Sequence, residues 1–164
     1  MSCTPFGIMR ILAEYNIDIE GKNAVIIGRS NIVGKPLEQL FLKENATTTV
    51  CHSKTENLKD ICRNSDIVVA AMNRQEMIDS SYINDDCVVI DVGVHKNSEG
   101  KTVGDVNFED VYPKASLITP AVGGVGPMTI CMLAYNTAKS RYGNEVDEVL
   151  EKGIEKAKVL VNKF

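Results

Sequence analysis

Short apolar runs alternate along this chain with longer stretches whose apolar residues recur every three or four positions. The short runs are Ala24–Ile27, Thr47–Cys51, Ile67–Ala71, Val88–Val92 and Leu117–Thr119. Their length and β-branched content predict strands, the consecutively apolar ones buried on both faces. Between them the period changes. Ile8, Ile11, Leu12 and Tyr15 share one face of a helix that starts at Thr4-Pro5, a capping hydroxyl followed by a first-turn proline. Leu37, Leu40 and Phe41 mark a second helix. Leu58, Ile61 and Cys62 mark a third, for which Ser53-Lys-Thr-Glu56 fits a capping box. Ile78–Ile83 predicts a short helix and Met128–Ser140 a long one, broken at Tyr142-Gly143-Asn144. Val146, Val149, Leu150, Ile154, Ala157 and Val161 then line one face of a last amphipathic helix. Asn97–Gly100 is a turn between two minor strands.

Strand alternating with helix, the strands short and apolar, predicts an α/β fold: a doubly wound, Rossmann-like, mostly parallel sheet with helices on both faces. The 164 residues suit one domain with a real core. A net charge of −4 argues against nucleic acid as a partner, which calls for a basic face. No apolar run is long enough to span a membrane, and no signal-peptide pattern is present, so a cytoplasmic protein is expected. The five cysteines, Cys3, Cys51, Cys62, Cys87 and Cys131, are scattered, with no Cys-x-x-Cys pair. They read as reduced, mostly buried thiols. His52 and His95 do not stand at ligand spacing with them, so no metal site is expected.

The chemistry concentrates in Ala24-Val-Ile-Ile-Gly-Arg-Ser-Asn-Ile-Val-Gly-Lys-Pro36, a buried strand that enters a glycine turn and opens a helix. That arrangement aims backbone N–H groups and a positive helix end at whatever lies in front, most often phosphate. The dinucleotide fingerprint Gly-x-Gly-x-x-Gly is altered here: its small positions are Gly28, Ser30 and Gly34, with one residue added. Gly28 permits the tight turn, Ser30 is small and carries a hydroxyl, and Gly34 lets the helix come close. A glycine turn that merely joins strand and helix is the competing reading. About 20 residues further on, an NAD site places a carboxylate for the ribose 2′-hydroxyl. This chain has Cys51-His52-Ser53-Lys54 there, a hydroxyl and cations, with Arg29 in the turn. Such donors suit a 2′-phosphate, so NADP is favoured over NAD. Ser53 serving only as a helix cap is the plainer alternative, and His52 reads as a surface residue. A second glycine-rich stretch, Thr119 to Thr129, also runs from a strand end into a helix. Two bare-backbone loops at the same end of one sheet predict a cleft between them.

Taken in order, Gly28-Arg-Ser-Asn-Ile-Val-Gly-Lys-Pro36, Cys51-His-Ser-Lys54, Asp91-Val-Gly93, Gly104-Asp-Val106 and Gly123-Gly-Val-Gly-Pro-Met-Thr129 closely resemble the bifunctional methylenetetrahydrofolate dehydrogenase/methenyltetrahydrofolate cyclohydrolase family. Cys3-Thr-Pro-x-Gly7 matches that family's interdomain motif. The resemblance covers roughly Cys3 to Ser140. It implies an interdomain-type helix over 1–16, an NAD(P)-binding domain over 17–141 and a C-terminal helix over 142–164 that lies outside the resemblance. It implies oxidation of methylenetetrahydrofolate with NADP, then hydrolysis of the methenyl product. By the same resemblance, Gly28, Arg29, Ser30 and Gly34 hold the cofactor phosphates. Ser53 with Arg29 meets the 2′-phosphate, and Val94 touches the cofactor. Gly123, Gly124, Val125, Gly126, Pro127, Met128 and Thr129 line the shared folate and nicotinamide cleft.

The family's catalytic domain, with its Tyr-x-x-x-Lys, Gln-Leu-Pro and Asp-Val-Asp-Gly motifs, has no counterpart in this sequence, so no catalytic residue is assigned. Folate is therefore expected as a partner only when a catalytic domain is supplied. Six residues in four stretches depart from the family pattern: Asn73 and Gln75 of Asn73-Arg-Gln75 replace the glycine and proline of a glycine-x-proline turn, Val122 and Ser2 each replace a proline, and His95-Lys96 replaces Asn-Arg. The leading expectation is the NADP-binding domain of such an enzyme, inactive alone. The alternative is a stand-alone nucleotide-binding or regulatory module without catalysis. Apolar residues that an absent domain would cover, Ile8, Ile11 and Leu12 on one side and Val149 and Leu150 on the other, are expected to pair with each other or across a homodimer.

Overall fold

A computed structural model describes residues 2–152. In it α1 (Cys3–Glu14) precedes β1 (Asn23–Ile27), α2 (Gly34–Lys43), β2 (Thr47–Cys51), α3 (Leu58–Arg63) and β3 (Ile67–Ala70). A 3₁₀ turn (Ser80–Tyr82), β4 (Val88–Asp91), the minor strands β5 (His95–Lys96) and β6 (Thr102–Val103), α4 (Phe108–Val111), β7 (Leu117–Ile118) and α5 (Val125–Tyr142) complete the order. Residues 145–152 are again helical. Ile154, Ala157 and Val161 of the expected last helix lie outside the described residues.

The main sheet has the order β2-β1-β3-β4-β7, and every pair in it is parallel. From β1 the chain crosses to β2 on one side, then returns to place β3 on the other. Right-handed crossovers taken in opposite directions must put α2 and α3 on opposite faces of the sheet. They do. Ala24, Ile26, Ile67, Val69, Val88 and Ile90 face α1, α2 and the start of α5, where Ile8, Leu12, Leu37, Phe41 and Val125 close the layer. The alternate residues Val25, Ile27, Val68, Ala70 and Val89 face Cys62, Ile78, Ile83 and Val111. The period of two along each strand thus divides one apolar run between two cores.

Several expectations need correction. Ile8, Ile11 and Leu12 are buried beneath α1 in the first core, not left for an absent domain to cover. Tyr15 is the C-cap residue, where α1 has already ended, and it is exposed. Thr4 stands inside α1 and caps nothing; its hydroxyl meets Thr129 Oγ1 at 3.0 Å, tying α1 to α5. The capping box does not form: α3 starts at Leu58 behind Asn57 in the left-handed region, and Thr55 Oγ1 instead accepts the His52 N–H at 2.9 Å. Ile78–Ile83 contains only the three-residue 3₁₀ turn. The long helix begins at Val125, not at Met128, because Val125 is drawn into the core. Pro127 is then its third residue, where a missing N–H costs nothing.

Candidate nucleotide site at the switch point

In open α/β sheets ligands sit beyond the carboxyl ends of the strands where the strand order reverses. Here that point lies between β1 and β3. The loops after β1, β2 and β3 enclose a crevice of about 490 Å³ there. Gly28 turns out of β1 with φ +134°, and a Cβ on it would stand 2.1 Å from the Ala71 carbonyl oxygen. A Cβ on Gly34 would stand 2.0 Å from the Gly28 carbonyl oxygen. Both obstacles are backbone, which cannot swing aside, so only glycine lets β3 and α2 close on the turn. Ser30 Oγ accepts the Val33 N–H at 3.0 Å and the Gly34 N–H at 3.5 Å at the entry to α2, while its own proton stays free to donate.

Arg29, Ser30, His52, Ser53, Asn73 and Arg74 supply the polar wall of the crevice; Leu58, Met77 and Tyr82 are among its apolar residues. No aspartate or glutamate lines it, although the chain carries 22 acidic residues. His52 Nδ1 accepts the Lys54 N–H at 3.1 Å, which leaves the ring proton on Nε2. A carboxylate-free crevice with glycine-tight walls, guanidinium and hydroxyl donors and a helix start fits a phosphorylated dinucleotide.

The loop after β3 is held from beneath. Asp105, fully buried, accepts the backbone N–H of Met72 at 2.8 Å, Asn73 at 3.0 Å and Arg74 at 2.8 Å. His95 Nε2 meets the same carboxylate at 2.7 Å; a carboxylate only accepts, so Nε2 bears the proton. Asp91, at the end of β4, accepts the N–H of Gly93 at 2.9 Å and of Asp105 and Val106 at 3.0 Å. The Asp91 N–H in turn donates to Thr119 Oγ1 at 2.9 Å. A Cβ on Gly104 would lie 1.7 Å from Asp91 Oδ2, and one on Gly93 would lie 2.4 Å from Asp105. Burial pushes the Asp91 carboxyl up to about 6, against the three amides that hold it down, and the nearby Asp105 adds to the rise. Two buried carboxylates therefore link the end of β7 to the crevice wall. Sequence reading noted Asp91 and Asp105 only within motifs. The signal was available: an aspartate that closes the apolar run Val88–Asp91 beside a glycine is a buried acid in need of donors.

The second glycine loop lies elsewhere. Pro120, Gly123, Gly124 and Met128 border a cavity of about 360 Å³ against Ile11 and Tyr15, and Pro120 to Val122 border another of about 250 Å³ beside Gly104. None of these residues lines the switch-point crevice. In the sheet β4 lies between β3 and β7, so the two glycine loops rise from strands that are not neighbours. Val125 is core, Gly126 and Pro127 are exposed, and Met128 packs on Gly7 of α1. Thr129 donates to the Val125 carbonyl at 3.1 Å. Val94 is exposed and stands outside the crevice lining. No cluster of three or more His, Cys, Asp or Glu side chains suited to a metal occurs among the described residues. No described helix is long and apolar enough to cross a membrane.

A parallel sheet of this order, with a glycine turn and a carboxylate-free crevice at its switch point, defines a dinucleotide-binding α/β domain. Comparison with known proteins narrows this further. The chain belongs to the tetrahydrofolate dehydrogenase/cyclohydrolase family, whose NAD(P)-binding domain matches residues 2–144. It is 56% identical over 140 residues to the bifunctional protein FolD of Agathobacter rectalis, and 60% identical over 139 residues to that of Clostridium perfringens, covering 85% of this chain and 50% of each relative. Among solved structures, the Campylobacter jejuni bifunctional FolD superposes with a TM-score of 0.83 at 49% identity, over 84% of this chain and 49% of that one. The Trypanosoma brucei enzyme, solved with NADP cofactor and inhibitor, gives 0.77 at 40% identity, over 83% and 48%. The chain thus spans about half the length of the relatives it matches.

Proposed function

We propose that the switch-point crevice binds NADP, and that this chain supplies the cofactor-binding half of a methylenetetrahydrofolate dehydrogenase/cyclohydrolase. The observation that carries the reading is the crevice itself: backbone closure at Gly28 and Gly34 in front of α2, guanidinium and hydroxyl donors, and no carboxylate. Bound there, NADP would supply hydride acceptance. The residues of this chain would do the holding. Gly28, Ser30 and the start of α2 face the phosphates, and Ser53 with Arg29 meets the 2′-phosphate. On the family resemblance, Gly123 to Thr129 would line the shared folate and nicotinamide cleft, and Val94 would touch the cofactor. Gly123 borders a cavity other than the switch-point crevice, and the folate site would be completed by a catalytic domain. The general acid and base would belong to that domain.

Calorimetric titration with NADP and NAD tests the binding. NADP should bind more tightly, and tighter binding of NAD would overturn the cofactor assignment. NADPH formation from methylenetetrahydrofolate, with and without a separately prepared catalytic domain, tests the reaction. Turnover only in the mixture is expected. Nucleotide binding with no turnover in the mixture would favour the regulatory module. A cytoplasmic location is part of the same proposal, supported by the family's chemistry and the unpaired cysteines. Exposed Ile130 and Leu133 on α5 and Val149 beyond it offer a homodimer surface; a monomer by light scattering would count against it.

A further inference from the structure

Five arginines occur in the chain. Arg10 pairs with Glu14 and Glu151, Arg63 with Asp60, and Arg141 lies over the Tyr142 ring. Arg29 and Arg74 have neither a carboxylate nor a ring among the described residues, and both line the switch-point crevice. Two guanidinium groups with no carboxylate partner, in one carboxylate-free crevice, give that crevice a positive field suited to an anion. Arg74 is also firmly placed. Its backbone N–H is held at 2.8 Å by the buried Asp105, and Asn73 before it takes φ +57°, a conformation asparagine tolerates. The wall that carries it is therefore preorganised, and little ordering remains for a ligand to impose on the backbone.

We propose that Arg74 is a phosphate-binding residue of the crevice, opposing Arg29 across the bound nucleotide. The proposal deepens the NADP reading and rests on it. The ligand chemistry is a phosphate group of a dinucleotide, either the 2′-phosphate or the pyrophosphate. A guanidinium offers a planar donor fork that matches either one. Arg74 stands at the open middle position of the Asn73-Arg-Gln75 stretch, between the two residues that replace the family's glycine and proline.

The test is calorimetric titration of the full chain and its Arg74→Ala and Arg74→Lys variants with NADP and with NAD, with circular dichroism to confirm the fold. Arg74→Ala should weaken NADP binding about tenfold or more, with Arg74→Lys intermediate because it keeps charge but loses the fork. Loss confined to NADP assigns Arg74 to the 2′-phosphate, and equal loss with both nucleotides assigns it to the pyrophosphate. Unchanged affinity for both in a folded variant, alongside wild-type binding, overturns the proposal and leaves the NADP reading standing. Failure of the folded wild-type chain to bind either nucleotide overturns both.

Discussion

Asparagine in place of Asp105 keeps the shape of the side chain and removes its charge. The carboxylate accepts three backbone N–H groups and the His95 ring N–H from a fully buried position. With the amide oxygen at Oδ2, the Met72 and Asn73 donors keep a neutral acceptor. The amide NH₂ then faces the Arg74 N–H and His95. The histidine can change tautomer and accept from it; the Arg74 N–H cannot. One buried donor is left unpaired, at about 1–3 kcal/mol, and two charge-assisted bonds become neutral, at about 0.5–1 kcal/mol each. Relief of the repulsion on Asp91 offsets part of this. The net expectation is a loss of about 2–4 kcal/mol, a large share of the stability of a domain this size. Urea unfolding measures it, and amide hydrogen exchange localises it, since Met72, Asn73 and Arg74 should lose protection before β1 or β3 does. A loss below about 1 kcal/mol with unchanged protection at these amides would refute the view that Asp105 anchors the crevice wall.

Gly28→Ala should cost about 2–5 kcal/mol, through the backbone overlap at Ala71 and a φ that alanine avoids; a urea midpoint matching wild type would contradict it. Asp91 binds its proton more tightly folded, with a pKa of about 6, than unfolded at about 3.9. Its stabilising contribution is therefore complete below about pH 4 and is lost as pH rises through 6, by about 3 kcal/mol in all. The Asp91 carboxyl chemical shift should titrate near 6, and a midpoint at or below about 4 would exclude this. Burial pushes the Cys62 and Cys87 thiols up to about 12, whereas Cys131 is exposed. A thiol reagent mapped by mass spectrometry should mark Cys131 at once and Cys62 and Cys87 only on unfolding; comparable native-state rates would count against their burial.

The strands were legible because a buried parallel strand is written in consecutive residues: Ile67–Ala70 and Val88–Asp91 announce themselves without reference to any neighbour. Helix starts were less so. Ser53 to Glu56 has the residues of a capping box, yet Thr55 is engaged by the His52 amide and the chain turns once more before α3. A cap motif states what a side chain can accept and leaves open which amide will arrive. Proline in a first turn points to a helix start beside Met128, but the core's hold on Val125 moves the start two residues ahead of Pro127.

The sequence alone determined the strand–helix alternation, the glycines of the phosphate turn, the absent carboxylate after β2 and the family, all of which depend on residues close together in the chain. Strand order, the partners of Asp91 and Asp105, and the meeting of Arg74 with Arg29 and Ser53 in one crevice were decided by tertiary structure. The reason is physical. Periodicity and turn chemistry are local, but which strand lies beside β1 depends on the handedness of crossovers and on burial summed over both faces of the sheet. The same nonlocal order placed β4 between the strands that carry the two glycine loops.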